Sequence, residues 1–307
     1  MMVIRHHENR YSDIGASFGV VFHDGHCVLS PRMCIRPIAH SLKPKCDICE
    51  SVTERVIEKL YTVSDVLRRA RFPILRLGVM QPYFFPYLGY WQMIHAVDKY
   101  VIFDDVNYIK RGWIARNRIK ANGQAIRFGI AVRKVSQNRL ITEHERMASP
   151  EEAGKLLHEL DMAYHKAPYY DQVMPLMERI LGNTEINLAD YLSYEIMQVC
   201  DYLGISTPIL RSSRMEYDHS GNGQDKILDL CKVTGSDSYV NAIGGRELYD
   251  HDRFRREGVE LSFLKMRQVQ YEQGEGEFIP SLSIIDVMMN NSHEQLDELL
   301  SQYDFVS

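Results

Sequence analysis

The sequence predicts an α/β fold with a mainly parallel sheet and a helical insertion. Short apolar runs of strand length, such as 77–80 and 99–103, lie on either side of a segment in which apolar residues recur with a helical period. The same alternation returns after residue 205, and three segments with helical patterns lie between the two parts. Strands that alternate with helices in this way are typical of parallel sheets.

The composition is that of an ordinary globular protein. The chain has 307 residues, of which 45% are hydrophobic and 25% charged, and its net charge is -5. We find no apolar run long enough for a membrane span and no apolar core of a signal peptide, so we expect a cytoplasmic protein. Six cysteines spread over this length do not indicate a disulfide scaffold.

Residues 1–74 differ in composition from residues 75–307, which are interpreted as the main domain. The first 74 residues are interpreted as an N-terminal extension. This extension is expected to be partly disordered, or to contain one helix over 52–69 that packs on the main domain. A structural zinc site is one alternative, because four cysteines lie here and one pair has Cys-x-x-Cys spacing. An upstream start codon is another. The four cysteines are Cys27, Cys34, Cys46 and Cys49.

The stretch from Leu77 to Asn117 predicts a β-loop-α-β unit. A buried strand at 77–80 is ended by Gln81 and a proline, a loop rich in aromatic residues follows, and a helix begins at Leu88. The next strand ends in paired acids. Because parallel sheets bind ligands at the carboxyl ends of their strands, we expect polar side chains to converge there. These are Gln81, Tyr83, Tyr87, Tyr90, Asp104 and Asp105.

The chain is basic from Tyr108 to Arg146, with ten Lys or Arg residues against two acids. Such a field favours a phosphate-bearing partner. Lys110 and Arg116 are candidates to hold the phosphate, and Trp113 to stack on a ring. The alternative is a solvated strand edge that charge protects from aggregation. A third strand is predicted over 126–132.

The middle of the chain predicts a helical insertion over about 149–204. Ser149 precedes a proline and lies three residues before a glutamate, which indicates a helix start. A second helix is expected from Pro168 to Gly182 and a third over 188–203, ended by a glycine. The insertion could close over the site.

The last third returns to α/β alternation. A strand at 208–210 is followed by Ser212 and Ser213 between arginines, a pattern that suits phosphate binding. A strand at 239–243 is closed by Gly244 and Gly245, with a helix starting near Arg246. Further elements are a final strand at 259–263 and helices from about Ser281 and Ser292.

Several of these segments resemble the WbqC-like family, whose members are known mainly from bacterial O-antigen and polysaccharide gene clusters. The resemblance runs from about residue 77 to the C-terminus, and it implies a role in lipopolysaccharide biosynthesis. Its motifs are MQPYFFPYLGY, DDVNYIKRGWIARNRI, APYY (167–170), IGGRELYD (243–250) and SIIDVMMNN (283–291).

The chain is more distantly similar to nucleotidylyltransferases, pantothenate-synthetase-like ligases and class I aminoacyl-tRNA synthetases. This similarity implies a HUP-like, three-layer nucleotide-binding domain in which a His-x-Gly-His loop follows the first strand. Tyr87-Leu88-Gly89-Tyr90 takes that place, with Gly89 where a nucleotide approaches closely. Both histidines are tyrosines, and neutral phenols stabilise phosphate charge less well, which puts adenylating chemistry in doubt.

The leading hypothesis is an enzyme, a transferase or ATP-dependent ligase, that joins an acyl or aminoacyl-type group to an amino-sugar or nucleotide-linked acceptor. The alternatives are a non-catalytic nucleotide- or sugar-binding protein with a degenerate ligase-like fold, and a nucleic-acid-binding protein; a homodimer is an open option. ATP or another nucleotide with Mg²⁺ is a candidate cofactor. The catalytic candidates are Gln81, Tyr87, Tyr90, Asp104, Asp105 and Lys110, and the ligand-binding candidates are Tyr83, Gly89, Trp113, Arg116, Asn117, Ser212, Ser213, Gly244 and Gly245.

Overall fold

A computed structural model describes residues 74–307 throughout and, nearer the N-terminus, the backbone of two short strands. These strands, β1 (Gly19–His23) and β2 (His26–Ser30), form an antiparallel hairpin. The chain divides into two compact units, Met1–Phe72 and Pro73–Ser307. The predicted helix over 52–69 lies outside the described residues, as do the side chains of the predicted zinc site, Cys27, Cys34, Cys46 and Cys49.

The second unit is built on a six-stranded sheet with the order β10-β9-β8-β3-β4-β7. Its strands are parallel except for β10, which pairs antiparallel with β9. Two further strands, β5 and β6, form a separate antiparallel hairpin. In chain order the strands are β3 (Arg76–Met80), β4 (Lys99–Ile102), β5 (Arg116–Ala121), β6 (Gln124–Gly129), β7 (Ile209–Arg211), β8 (Ser238–Ala242), β9 (Glu260–Met266) and β10 (Tyr303–Val306).

Helices cover both faces of the sheet, so the second unit has three layers. Along β4, Tyr100 and Ile102 join one hydrophobic core and Val101 joins another, because successive strand residues point to opposite faces. Helices α1, α2, α3, α4, α7 and α8 pack in the first core, and α5 and α6 in the second. Their bounds are α1 (Leu88–Ala96), α2 (Pro150–Tyr164), α3 (Tyr170–Leu181), α4 (Leu188–Leu203), α5 (Gly223–Thr234), α6 (His251–Arg256), α7 (Ile284–Asn290) and α8 (His293–Leu300).

The strand order reverses at β3. From β3 the chain continues to β4 and β7 on one side, and then crosses to β8 and β9 on the other. If the five parallel strands are renumbered 1 to 5 in chain order, so that β3 becomes strand 1, their order across the sheet is 3-2-1-4-5. The segments that follow β3 and β8 leave the sheet towards opposite faces. In open α/β sheets a crevice forms at such a reversal, outside the carboxyl ends of the strands.

The hairpin β5–β6 differs from the prediction of a third strand over 126–132. The two strands are joined by Asn122 and Gly123, both with positive φ, and their pairing lies outside the central sheet. An Asn-Gly pair of this kind is a strong local signal for a tight hairpin turn. Four of the ten basic residues of this stretch therefore lie on a two-stranded ribbon: Arg116, Arg118, Lys120 and Arg127.

Other boundaries follow the expected local chemistry. Ser149 accepts a hydrogen bond from the backbone N–H of Glu152, and Ser292 forms a capping box with Gln295, which confirms both predicted helix starts. After β8 the chain makes a 3-10 turn over 243–248, and the next helix begins at His251, where Asp250 caps it, instead of near Arg246. The edge strand β10 was not predicted. Within the described residues, none of the helices is both long and apolar enough to cross a lipid bilayer.

The two isoleucines that face each other across the β5–β6 hairpin allow a test of its packing. Ile119 is fully buried, whereas Ile126 is 36% exposed. We expect Ile119→Ala to lower the free energy of unfolding by about 2–5 kcal/mol, because it leaves a cavity. Ile126→Ala should cost less than about 1 kcal/mol. Urea unfolding measures both, and equal losses would contradict the packing described.

Candidate functional site

The loops that follow β3 and β4 leave the sheet side by side. The backbone N–H of Phe103 donates to the carbonyl of Met80 over 2.8 Å, which holds the ends of the two strands together. The residues after these positions therefore lie at the same carboxyl edge. Gln81 and Tyr83 follow one strand, and the paired acids follow the other.

A cleft of about 300 Å³ lies beside the loop after β3. Its wall combines three aromatic rings, one guanidinium and small polar groups, a mixture suited to a ring-bearing ligand with an anionic substituent. The predicted residues Tyr83, Tyr87, Trp113 and Asn117 all reach it. The lining residues are Tyr83, Pro86, Tyr87, Trp113, Asn117, Arg118 and Ser281.

The cleft is held open by hydrogen bonds between the loop and the hairpin. The Asn117 side chain donates to the carbonyls of Phe84 and Phe85, at 3.2 and 2.7 Å. The N–H of Phe84 donates to the carbonyl of Trp113 over 3.1 Å. Asn117 is buried and its amide is used in this way, so its first role is to shape the wall.

The backbone of the loop is strained at Phe85, whose φ is +40°. A non-glycine residue in this region costs of order 1–3 kcal/mol and persists only where neighbours impose it. Here the N–H of Phe85 donates to Glu195 Oε1 over 3.1 Å, and its carbonyl accepts from Ser283 over 2.9 Å. Burial raises the pKa of the Glu195 carboxyl well above its usual value. α4 and the segment before α7 therefore fix the loop.

The two tyrosines of the segment Tyr87-Leu88-Gly89-Tyr90 have different surroundings. Tyr90 is buried, its hydroxyl donates to the Gln81 carbonyl over 3.1 Å, and burial raises its pKa well above the usual value. Gly89 makes room for the ring of Tyr87, since an added Cβ would lie 2.5 Å from Cε2 of that ring. Tyr87 thus reaches the cleft, whereas Tyr90 belongs to the core.

The Asp104 carboxylate is surrounded by hydrogen-bond donors from the protein. It is fully buried and lies 2.6 Å from the Arg211 guanidinium. Ser212 donates to it through its hydroxyl, and Ser213 through both backbone N–H and hydroxyl, at 2.9–3.1 Å. These donors leave no side of the carboxylate for Mg²⁺, and residues 74–307 contain no cluster of three or more potential metal ligands. The two serines are likewise engaged by carboxylates.

Asp105 lies at the same strand end and has different partners. It is nearly buried and accepts from the Tyr217 hydroxyl at 2.7 Å and from the Ser212 hydroxyl. Its third partner is Nδ1 of His219 at 3.1 Å, whose side chain is 54% exposed. Tyr217 and His219 were not among the predicted site residues. No motif marks them, and only the parallel pairing of β4 with β7 brings them to Asp105.

The remaining predicted residues are more dispersed. Lys110 is exposed, and Arg116 donates to the carbonyl of Gly112 over 3.0 Å and to that of Arg111, so part of its guanidinium braces its own loop. Gly244 and Gly245 lie in the 3-10 turn after β8, at the same edge of the sheet. Gly245 packs against Asn241, and open space surrounds the Gly244 Cα.

Sequence reasoning also missed a buried polar group in the first turn of α7. The fully buried Asp286 accepts from the hydroxyls of Tyr164 and Tyr271, both at 2.8 Å. The nearby Lys120 Nζ donates to the carbonyl of Glu277 over 2.9 Å. On the cleft wall, Nε of Arg118 is buried without a hydrogen-bond partner. The available signal was an acid inside the apolar run that forms α7.

The fold and the cleft define an α/β protein with a parallel central sheet and an aromatic and basic cleft at its carboxyl edge. The family model of the WbqC-like protein family matches residues 81–298, and the chain belongs to this family. A relative is the uncharacterized protein Rv1507c of Mycobacterium tuberculosis, 25% identical over 226 residues that cover 73% of this chain and 97% of the relative. No solved structure matches the chain.

Two arginines that both contact Asp190 test the importance of the buried Asp104. Arg211 is 15% exposed and neutralises Asp104, whereas Arg214 is 71% exposed and does not contact it. Arg211→Gln should lower the free energy of unfolding by about 3–5 kcal/mol, because it leaves a buried charge without a partner. Arg214→Gln should change it by no more than about 0.5 kcal/mol. Urea titrations measure the difference, and similar losses would refute it.

The buried Asp286 predicts a pH dependence of stability. Burial raises its pKa, although hydrogen bonds from Tyr271 and Tyr164 and the charge of Lys120 oppose the shift. The folded state therefore holds its proton more tightly than the unfolded state, and this stabilisation is complete below the unfolded pKa of about 4. It is lost as pH rises through the folded pKa.

Asp286→Asn removes this titration. The free energy of unfolding of the wild type, relative to that of the variant, should fall as the pH rises from about 3 through the raised folded pKa, in the direction that linkage requires. Parallel urea titrations across this range provide the measurement. A difference that stays constant or rises with pH would show that the carboxyl does not titrate as described.

Proposed function

We propose that the protein is an enzyme of surface-polysaccharide or related biosynthesis that transfers an acyl or aminoacyl-type group to an amino-sugar or a nucleotide-linked acceptor. The observation behind this proposal is the cleft at the carboxyl end of the first parallel strand, with its three aromatic rings and one guanidinium. The family membership is consistent with this role, since the family resemblance pointed to polysaccharide gene clusters.

The aromatic wall suits a base or sugar ring. Tyr83, Tyr87 and Trp113 line the cleft, and Trp113 is 46% exposed although it is large and apolar. Stacking on an exposed aromatic ring is worth about 1–3 kcal/mol per base and depends little on which ring is bound. An exposed indole beside a cleft is thus a natural binding platform.

The anionic part of the ligand has a partner in Arg118. Arg118 lines the cleft and carries a positive charge. A phosphate or carboxylate oxygen in the cleft would form a charge-assisted hydrogen bond with its guanidinium. The exposed Lys110 and Arg111 add positive charge near Trp113. We therefore assign phosphate binding first to Arg118 and then to these loop cations.

Transfer from an already activated donor fits this site better than ATP-dependent activation. The strand order is that of doubly wound nucleotide-binding sheets, which supports a HUP-like fold as part of the proposal. Yet Tyr87 and Tyr90 stand where that superfamily has histidines, and the hydroxyl of Tyr90 is buried and bonded to the backbone. The donor in our proposal is therefore a thioester or another activated acyl group.

A second candidate function is that of a non-catalytic protein that binds a nucleotide or sugar in the same cleft. The burial of Tyr90 favours it, because a phenol in the core cannot contact a reacting phosphate. Both candidates require ligand binding, so turnover of acyl donor separates them.

Tryptophan fluorescence tests the cleft directly. The chain has two tryptophans, and Trp91 is fully buried, so a ligand in the cleft should change the emission of Trp113 alone. The probes are a nucleotide-sugar, ATP and an acyl-CoA thioester. We expect a saturable change with at least one of them in the wild type and none in Trp113→Phe.

Affinity measured by calorimetry complements the optical signal. Trp113→Ala should raise the Kd roughly 5- to 150-fold, because a stacking interaction of about 1–3 kcal/mol is lost. Arg118→Gln should weaken the same probe, whereas Ile126→Ala, on the hairpin but outside the cleft, serves as the matched control. If every probe leaves both fluorescence and heat unchanged, the cleft is not the binding site.

A further inference from the structure

We propose that Asp105 and His219 form a catalytic acid–base pair at the carboxyl edge of the sheet, with Nε2 of His219 as the atom that accepts a proton from the amine or hydroxyl of the acceptor. This inference rests on the proposed function for the identity of the reaction. The pair itself is defined by its own geometry, outside the cleft.

The Asp105 carboxylate is held by other side chains besides the imidazole. Asp105 follows β4 and is nearly buried, with one oxygen held by Ser212 and the other by the Tyr217 hydroxyl at 2.7 Å. Its neighbour Asp104 is neutralised by Arg211, so Asp105 is the acid of the two that contacts a half-exposed side chain. A carboxylate held in this way can orient an imidazole without moving itself.

The imidazole is oriented by two contacts. Nδ1 of His219 lies 3.1 Å from Oδ2 of Asp105, and its ring packs on that of Tyr217 with centroids 4.1 Å apart. Among residues 74–307, no other histidine lies within ion-pair distance of a carboxylate. A carboxylate beside Nδ1 favours the tautomer with the proton on that nitrogen. In that tautomer Nε2 has a free lone pair.

The position of His219 suits a reacting group. Its side chain is half exposed, in the segment between β7 and α5, whereas its partners Asp105 and Tyr217 are buried. Asp105 lies two residues after Phe103, which is bonded to Met80, and the cleft residue Tyr83 lies three residues after Met80. Pair and cleft therefore flank the same edge of the sheet, the pair on the α5 side and the cleft on the α1 side.

The proposed step is acyl transfer from a thioester or similar activated donor. The lone pair of the acceptor nitrogen or oxygen forms the bond to the acyl carbon, and the bond from that carbon to the leaving sulfur or oxygen breaks with its electron pair. Nε2 of His219 takes the proton that the acceptor loses and returns it to the leaving group. Asp105 stabilises the imidazolium that exists between these two transfers.

The tautomer of His219 decides whether it can act in this way, and it can be measured without any substrate. Long-range ¹H–¹⁵N spectra of the labelled full chain, at a pH where the ring is neutral, distinguish the two nitrogens; His219→Gln assigns the signals. We expect the proton on Nδ1 in the wild type and loss of this preference in Asp105→Asn. A proton on Nε2 in the wild type would overturn the proposal, because that nitrogen could not accept another.

Turnover provides the second readout, with acetyl-CoA as donor and a UDP-linked amino sugar as acceptor. His219→Gln should lower kcat about 10²- to 10⁴-fold with little change in KM. The matched control is His158→Gln, on the exposed face of α2. Wild-type turnover with an unaffected His219→Gln would refute the pair. Absence of turnover in the wild type would count against the proposed function, while the tautomer would still decide the acid–base capacity of His219.

Discussion

The carboxyl edge of the sheet depends on the ion pair between Arg211 and Asp104. A fully buried carboxylate is costly unless a cation and several donors surround it, and here one guanidinium, two hydroxyls and a backbone N–H do so. The same guanidinium also contacts Asp190 in the first turn of α4. One side chain of β7 thus connects the end of β4 with the first turn of α4.

The two sides of the edge have different chemistry. The α1 side carries aromatic rings and a guanidinium, to which we assign ligand binding, and the α5 side carries a carboxylate and an imidazole, to which we assign proton transfer. In open α/β sheets, ligands bind in the crevice outside the carboxyl ends of the strands. The paired acids of the sequence thus have unlike roles: Asp104 is enclosed by structural partners, whereas Asp105 contacts a half-exposed histidine.

The sequence predicted the elements whose signals are local. The strand at 77–80, the helix at 188–203 with its terminal glycine, and the capped starts at Ser149 and Ser292 all follow from short patterns. The β5–β6 hairpin was not predicted, although the Asn122-Gly123 pair is a local signal for a tight turn. The prediction for this stretch rested on its basic composition instead.

The site was predictable only in part, for a physical reason. Gln81, Tyr83 and Tyr87 follow a strand directly, so a sheet places them at its edge. His219 and Arg118 acquire their surroundings from residues distant in sequence, Asp105 and Ser281 respectively. Burial also decides whether a residue of a sequence motif can contact a ligand. Tyr90 and Asp104 look like site residues in the sequence, yet each is enclosed by partners that the sequence does not reveal.

The long insertion has a consequence for the order in which the chain folds. Asp104 and Arg211 are 107 residues apart, although their strands are direct neighbours in the sheet. A ribosome that adds about 5–20 residues per second would synthesise β4 roughly 5–20 s before it synthesises β7. Through this interval the edge of β4 lacks its neighbour and Asp104 lacks its cation. The nascent chain is therefore open to mispairing at the edge of β4, which in the folded protein is closed by β7 and by the ion pair between Arg211 and Asp104.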